Sequence, residues 1–322
     1  MIQPFEIKHQ RVLVTALNWG MGHLARCIPL IRVLQEQGNL IYFAGNEEQQ
    51  RIIHGYFPDI NLIPLADYPF RFTLRYSFKV SLLRSLYRLI RHLRDEHQAI
   101  SSIVRENSIE VIISDQRYGC YYRGIPSIFI THQINFPLNG IWRMGNYFHQ
   151  RLMMRFDAIW IPDFSDSRLS GKLSSRPKTV LPISFIGVLS RFSLNSSRSK
   201  SNNIVVILSG PDDYAVAFAQ QHITQELINK PLIIIGREEV VNQLDGLFPV
   251  QFQCSSDWLV CDEIIQSASL IIAACGYSTV MDIQFLNCTA VLYPTPGQLE
   301  QEYLAQLHGT KWKKELVEVL KI

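Results

Sequence analysis

The chain has 322 residues, 47% hydrophobic and 18% charged, a globular composition long for one core and comfortable for two. Its six cysteines (Cys27, Cys120, Cys254, Cys261, Cys275, Cys288) form no CxxC pair, which excludes a disulfide or zinc framework and predicts reduced thiols in a cytoplasmic protein. The net charge of +3 is lopsided: residues 1–200 carry +11, from 25 Lys+Arg against 14 Asp+Glu, and residues 201–322 carry −8, from 6 against 14. That asymmetry points to different partners for the two halves, or to halves that attract each other across a cleft.

The start, "MIQPFEIKHQRVLV", has no apolar run behind a basic segment, so no secretory leader is expected. No stretch has the apolar length that a bilayer span needs. The first strand is predicted over "RVLVTAL" (11–17), feeding the turn "NWGMGH". Gly20 and Gly22 there let the backbone turn tightly or approach a ligand. Pro29 suits a first helical turn and Gly38 a C′ position, so the regular helix is expected over "PLIRVLQEQG". His23 is then placed on the turn or an irregular first turn, beside backbone N–H groups that favour a neutral imidazole, the form a general base requires. Two other readings stand beside this one. His23 can simply cap the turn, and "GMGHLA" (20–25) formally fits G-x-G-x-x-A, the dinucleotide fingerprint, with Glu47 as the ribose acid.

Further strands are predicted at 40–45, 110–115, 126–131 and 158–163, each rich in β-branched residues. Asp115 closes one of them, as a partner for an imidazole or a loop cap; His132 and Gln133 follow another, facing an acceptor or satisfying loop backbone. Between them, "RFTLRYSFKVSLLRSLYRLIRHLR" (71–94) holds Arg71, Arg75, Lys79, Arg84, Arg88, Arg91 and Arg94 and no acid. Leu82, Leu86, Leu89 and Leu93 line another face of this amphipathic helix. It suits an anionic membrane surface or an acceptor phosphate; a core-packed helix with a solvated basic face is the common alternative. No nucleic-acid reader motif accompanies the charge, so no nucleic-acid partner is expected.

"SRFSLNSSRSKSNN" (190–203) is polar, serine-rich and without hydrophobic period, which reads as a linker. Beyond it strands are predicted at 203–210, 231–236, 249–254, 270–275 and 290–295. The expected fold class is therefore α/β, with two doubly wound Rossmann-like domains, 1–188 and 204–322, joined by 189–203 and binding ligands beyond the carboxyl ends of their strands. In "LIIAACGYSTVMDIQFLNC" Gly276 permits a tight turn, Ser278 or Thr279 is expected to cap the next helix, and that helix end offers an anion site for a diphosphate. Asp282 lies one turn inside, where a carboxylate can accept from ribose hydroxyls. "PTPGQLEQE" then brings Gln298, Glu300, Gln301 and Glu302 to the same sheet edge, suited to sugar hydroxyls; a solvated helix start is the plain alternative.

The run G-x-S-T-x-x-D, a strand, and then P-x(3–5)-E-Q resembles the donor-binding half of GT-B glycosyltransferases, most closely family 28, the peptidoglycan N-acetylglucosaminyltransferase family. In that family the first domain opens with a glycine-rich turn carrying a histidine, and "GMGH" matches in place. "VVILSGPDD" (205–213) matches the first donor loop, which puts Ser209 and Gly210 near the donor phosphates. "ISDQRYG", "ITHQINF" and "FIGVLSRF" also look like segments of this group, so the resemblance covers almost the whole chain. The chain departs from the pattern in carrying Asp282 where glutamate is usual and "SGPDD" where the loop is richer in glycine.

The resemblance implies an inverting transfer of sugar from a UDP-sugar, such as UDP-GlcNAc, to an acceptor hydroxyl on a glycan or lipid-linked acceptor. His23 would be the base and Asp115 its orienting partner, as related enzymes pair His with Asp. No metal and no cofactor beyond the donor is expected, and the place of action would be the cytoplasm or the inner face of the membrane. The runner-up is a nucleotide-sugar hydrolase. The UDP-sugar hydrolase of pseudaminic acid synthesis carries G-x-G-H-x-x-R-C, similar to "GMGHLARC", with the histidine activating water. A sugar-nucleotide-binding scaffold and an NAD-dependent dehydrogenase rank below these.

Overall fold

The computed structural model describes residues 3–18, 20–68, 78–135, 144–175, 179–193 and 201–319, with side chains of 5, 78–87, 144 and 310–319 left aside. They form two compact units, one drawn from residues 1–70 and 82–191 and the other from 71–81 and 192–322. The first unit contains a seven-stranded sheet of β1 (Arg11–Ala16), β2 (Leu40–Gly45), β3 (Asn61–Pro64), β4 (Val111–Asp115), β5 (Ser127–Ile130), β6 (Ala158–Ile161) and β7 (Ile183–Phe185). Every pairing is parallel and the order is β3-β2-β1-β4-β5-β6-β7. The second unit's sheet is likewise parallel: β8 (Ile204–Ile207), β9 (Leu232–Gly236), β10 (Gln251–Cys254), β11 (Leu270–Ala274) and β12 (Ala290–Tyr293), ordered β10-β9-β8-β11-β12. Fully buried strands such as β6 and β11 read as unbroken apolar runs, as strands covered on both sheet faces do.

All ten predicted strands are present. The two that the sequence reading missed, β3 and β7, lie at the edges of the first sheet and are only partly buried, so their sequences carry no apolar run. Helices α1 (Gly22–Glu36), α2 (Glu47–Tyr56), α3 (Phe78–Asn107) and α4 (Met144–Met153) connect the first sheet. The second has α5 (Asp212–His222), α6 (Gln225–Ile228), α7 (Glu238–Leu244), α8 (Trp258–Ser267), α9 (Tyr277–Leu286) and α10 (Leu299–Val319).

Two expectations are corrected. The helix after β1 starts at Gly22, not near Pro29, and Pro29 lies in its interior. A proline inside a helix ordinarily costs about 3 kcal/mol; here the buried face Leu24, Ile28, Ile31 and Leu34 fixes the helix through it, each such side chain contributing about 1.5–3 kcal/mol. Gly38, with φ +76°, ends the helix as expected. In α9 the N-cap is Gly276, and Ser278 and Thr279 sit inside the first turn without capping it.

Of the basic stretch 71–94, Arg71 and Arg75 lie outside the described residues, as do the side chains of Lys79, Leu82, Arg84 and Leu86. On the described part of α3, Arg88, Arg91 and Arg94 are exposed while Leu93 packs with Leu17 and Tyr68, and Leu89 leans on the same cluster. No helix among the described residues is long and apolar enough to cross a membrane. Of the serine-rich segment 189–203, residues 194–200 lie outside the described ones; Leu189, Ser190 and Phe192 are buried.

Candidate active site

In each sheet the strand order reverses between two neighbours, β1 and β4 in the first unit and β8 and β11 in the second. Doubly wound sheets bind ligands at such switch points, beyond the carboxyl ends of the strands. The β1–β4 register pairs Ala16 with Asp115, and the Leu17 N–H donates to the Asp115 carbonyl at 2.9 Å, so the two strand ends are level. Beyond β1 the chain turns through Gly20, whose φ of +86° favours glycine, and enters α1. That turn delivers His23 to the second helical position, directly over the end of β4.

There the His23 ring Nδ1 lies 2.8 Å from Asp115 Oδ1. Asp115 is fully buried, and His23 keeps 17% of its side-chain surface exposed. A third member, absent from the sequence reading, is Arg26. It is 1% exposed and three residues along the same helix face as His23. Its Nε donates to Asp115 Oδ2 at 2.9 Å and its Nη2 to Oδ1 at 2.6 Å, a bidentate grip. Burial pushes the Asp115 carboxyl up, but the Arg26 guanidinium, and His23 after it, outweigh burial and hold it below the ordinary carboxylate range. Asp115 is therefore an anion and an acceptor only.

The grip extends to the residues after β5. Arg26 Nη1 lies 2.9 Å from His132 Nδ1, so His132 joins this cluster. The main chain of Gln133 is tied down beside it: its carbonyl accepts from His149 Nε2 at 2.7 Å, and its N–H donates to Thr131 Oγ1 at 3.0 Å. Gln116, next to Asp115, is held at φ +63°, a left-handed conformation unusual for a side-chain-bearing residue, and its amide donates to Thr131 Oγ1 at 2.6 Å. Arg117 follows, fully buried, with Nε 2.7 Å from Glu96 Oε1. Glu96 Oε2 in turn accepts from Tyr68 Oη at 3.0 Å and from the Gly119 N–H at 2.8 Å. This second buried pair fixes the loop 115–119 that carries the carboxylate. Both missed arginines stand in quoted motifs, Arg26 in "GMGHLARC" and Arg117 in "ISDQRYG"; a buried arginine is readable only once its acid partner is in place.

The second unit's switch point is built differently. Beyond β8, Ser209 and Gly210 lead into α5, with Gly210 at φ +89° and open space where a Cβ would stand. Beyond β11, Gly276 begins α9, again with no close neighbour on the Cβ side. Neither helix N-cap, Pro211 or Gly276, supplies a side-chain bond to its helix. Ser278 and Thr279 are half-buried in the first turn of α9, and Asp282 is buried farther along it. Glu300 lies near the end of β11: burial pushes the Cys275 thiol up to about 12, and the Glu300 carboxylate adds to the shift.

Its neighbours serve their own loop. The Gln301 side chain accepts from the Thr295 N–H at 2.9 Å and donates to Gln298 Oε1 at 2.7 Å, and Glu302 accepts from the Gly297 N–H at 3.0 Å. In this structure those three side chains shape the 295–298 turn. Arg237, which sequence reasoning passed over, begins α7 after β9; its guanidinium pairs with Asp212 and donates to the Gly210 carbonyl at 3.1 Å. Arg237 and Lys230 are the only cations in 201–309, and Lys230 precedes β9, so the cation at the carboxyl edge of the described sheet is Arg237. No cluster of metal-binding side chains occurs among the described residues.

No family model and no curated protein matches this chain. Solved structures do. A spinosyn rhamnosyltransferase, SpnG, is 17% identical over 98% of this chain and 92% of its own, with a TM-score of 0.61. A UGT89C1 of Arabidopsis thaliana complexed with quercetin is 14% identical over 98% and 90%, with a TM-score of 0.58. The glycotransferase of kitacinnamycin is 12% identical over 92% and 83%, with a TM-score of 0.56. These likenesses span both units and agree with the two parallel, doubly wound sheets: the chain has the two-domain, Rossmann-like GT-B fold.

Proposed function

We propose that this protein is an inverting glycosyltransferase that moves a sugar from a UDP-sugar to an acceptor hydroxyl. The observation that carries the reading is the 2.8 Å contact between His23 Nδ1 and the buried Asp115 carboxylate at the switch point of the first sheet. An imidazole held through Nδ1 by a carboxylate directs its lone pair to Nε2, which is what proton abstraction from a hydroxyl needs. The deprotonated oxygen attacks the anomeric carbon, the bond to the nucleoside diphosphate breaks, and configuration inverts.

In the same reading the second unit holds the donor. The turns at Ser209–Gly210 and Gly276 present backbone to the diphosphate, with the ends of α5 and α9 behind them. Arg237 supplies the cation, moving from Asp212 to the phosphates. Asp282 and Glu300 address the ribose and sugar hydroxyls. The donor motif's resemblance to family 28 supports uridine as the nucleoside. Among the similar solved structures SpnG was complexed with thymidine diphosphate, and a Phytolacca americana UGT2 with UDP-2fluoro-glucose and pterostilbene, so a pyrimidine nucleoside diphosphate suits this fold. The basic exposed side of α3 supports an anionic or membrane-borne acceptor.

Replacing His23 with alanine tests the division of labour. Transfer should fall by about 10³- to 10⁴-fold, the upper range for losing a general base, while UDP affinity stays within about twofold. Loss of both together contradicts the assignment. Hydrolysis of the same donors is the second reading, favoured by the match of Arg26 and Cys27 in "GMGHLARC" to the Arg and Cys of that hydrolase's motif. Stoichiometric release of free sugar from UDP-sugars without acceptor would establish it.

A further inference from the structure

The geometry points to Arg26 as a positioning residue that holds His132 with its proton on Nε2, the opposite tautomer from His23, whose Nδ1 proton is set by the Asp115 carboxylate that Arg26 grips. The argument uses only what each group can do. A guanidinium has five N–H donors and no acceptor, and an ionised carboxylate accepts only. Arg26 Nη1 lies 2.9 Å from His132 Nδ1, so that nitrogen must be bare and the ring's proton must sit on Nε2. Protonating His132 fully would break this bond.

At His23 two neighbours reach the same nitrogen, Asp115 Oδ1 at 2.8 Å and Arg26 Nη2 at 2.5 Å, and they demand opposite states of it. The carboxylate prevails. Arg26 Nη2 already donates to Oδ1 at 2.6 Å and Nε to Oδ2 at 2.9 Å, so the guanidinium does not need the imidazole. If Nδ1 were bare it would set its lone pair against an anionic oxygen. With Nδ1 protonated, each charged group in the cluster keeps a partner, and Nη2 donates to the carboxylate instead of to the ring. One side chain, 1% exposed, thus joins β4, α1 and the residues after β5 through three fixed arms.

Lysine cannot do this. It carries the same charge on one rotatable point and cannot hold both carboxylate oxygens and a ring nitrogen at once. The test is the ¹⁵N spectrum of ring-labelled histidines in the full chain, which reports which nitrogen bears the proton. In the wild type His23 should show a protonated Nδ1 and a bare Nε2, and His132 the reverse. Arg26→Lys should turn His132 into a mixture of tautomers while leaving the His23 pattern in place.

A wild-type His132 protonated at Nδ1 overturns the proposal, and that result needs no variant to fold. So does a His132 spectrum unchanged in Arg26→Lys. The activity arm rests on the transferase reading: kcat should fall about 10- to 100-fold in Arg26→Lys, the range for a misplaced acid–base group, with KM for the UDP-sugar unchanged. Opposite tautomers in a protein that turns over no UDP-sugar would refute the transferase reading and leave the role of Arg26 standing.

Discussion

The two sheets share one strand order around their switch points, yet the chain finishes those points in opposite ways. The first is closed by side chains: His23, Asp115, Arg26 and His132 interlock there, and Glu96 with Arg117 lies just behind. The second is left to backbone, with Gly210 and Gly276 at the strand ends and no side-chain cap on either helix. The difference matches the two roles proposed for them. Moving a proton needs titratable groups held in one geometry, and burial with full pairing supplies that rigidity. Holding a diphosphate needs close approach to N–H groups, which a side chain would obstruct.

The comparison is broken most violently by attacking the buried charges. Arg117→Met takes the cationic partner from the buried Glu96 carboxyl. Removing one partner of such a pair costs about 3–5 kcal/mol. Hydrogen exchange read by segment should show β1, β4 and β5 losing protection by that amount while β8, β9 and β11 keep theirs. Equal loss in both sheets would mean that the units do not differ in this way.

A pH shift makes the same distinction more gently. His149, buried between the Tyr118 hydroxyl at 2.7 Å and the Gln133 carbonyl at 2.7 Å, is lowered to about 4 by burial, against the raising effect of that carbonyl bond. Its folded form stays neutral while the unfolded chain takes up a proton near the ordinary histidine value of about 6.5. The unfolded state then binds more protons, so stability is present above about 6.5 and is lost as pH falls toward 4. The loss approaches about 3 kcal/mol. Asp115, held low by Arg26 against burial, extends the decline to still lower pH. Denaturation at pH 7.5 and pH 4.5 should show this drop in the wild type, and His149→Phe should remove the part that falls between 6.5 and 4.

How much of this was readable beforehand follows the same division. Strands buried on both faces, such as "EVIISD" and "LIIAAC", show themselves because burial on both sides demands an apolar run. The edge strands "NLIP" and "ISF" do not, being solvated on one side. Gly276 and His23 were legible as turn chemistry next to such runs. The pairing of His23 with Asp115 was an open choice in the sequence, since 92 residues separate them. Arg26 and Arg117 were illegible as site residues, because arginine signals surface until its acid is known. Local capping was misjudged for a related reason. Ser278 and Thr279 have cap chemistry, but the β11 turn hands the N-cap position to Gly276, and only backbone geometry decides that.

The smallest effect on stability sharpens the comparison on the donor side. Gly276 has φ −77° and ψ 150°, which alanine adopts without strain, and the nearest atom to an added Cβ is Thr279 Oγ1 at 3.9 Å. Alanine is a few tenths to about 1 kcal/mol worse than glycine as an N-cap, and it recovers about 0.4–1 kcal/mol by restricting the unfolded chain. These nearly cancel, so Gly276→Ala should leave stability within about 0.5 kcal/mol. The new methyl group stands instead in the space at the tip of α9, where the diphosphate is proposed to approach. UDP affinity, measured by calorimetry, should therefore fall by about tenfold, about 1.4 kcal/mol, while the ¹⁵N pattern of His23 and His132 stays as in the wild type. A variant that binds UDP as well as the parent would show that the backbone at Gly276 does not hold the phosphates, and would move the donor site away from this strand end.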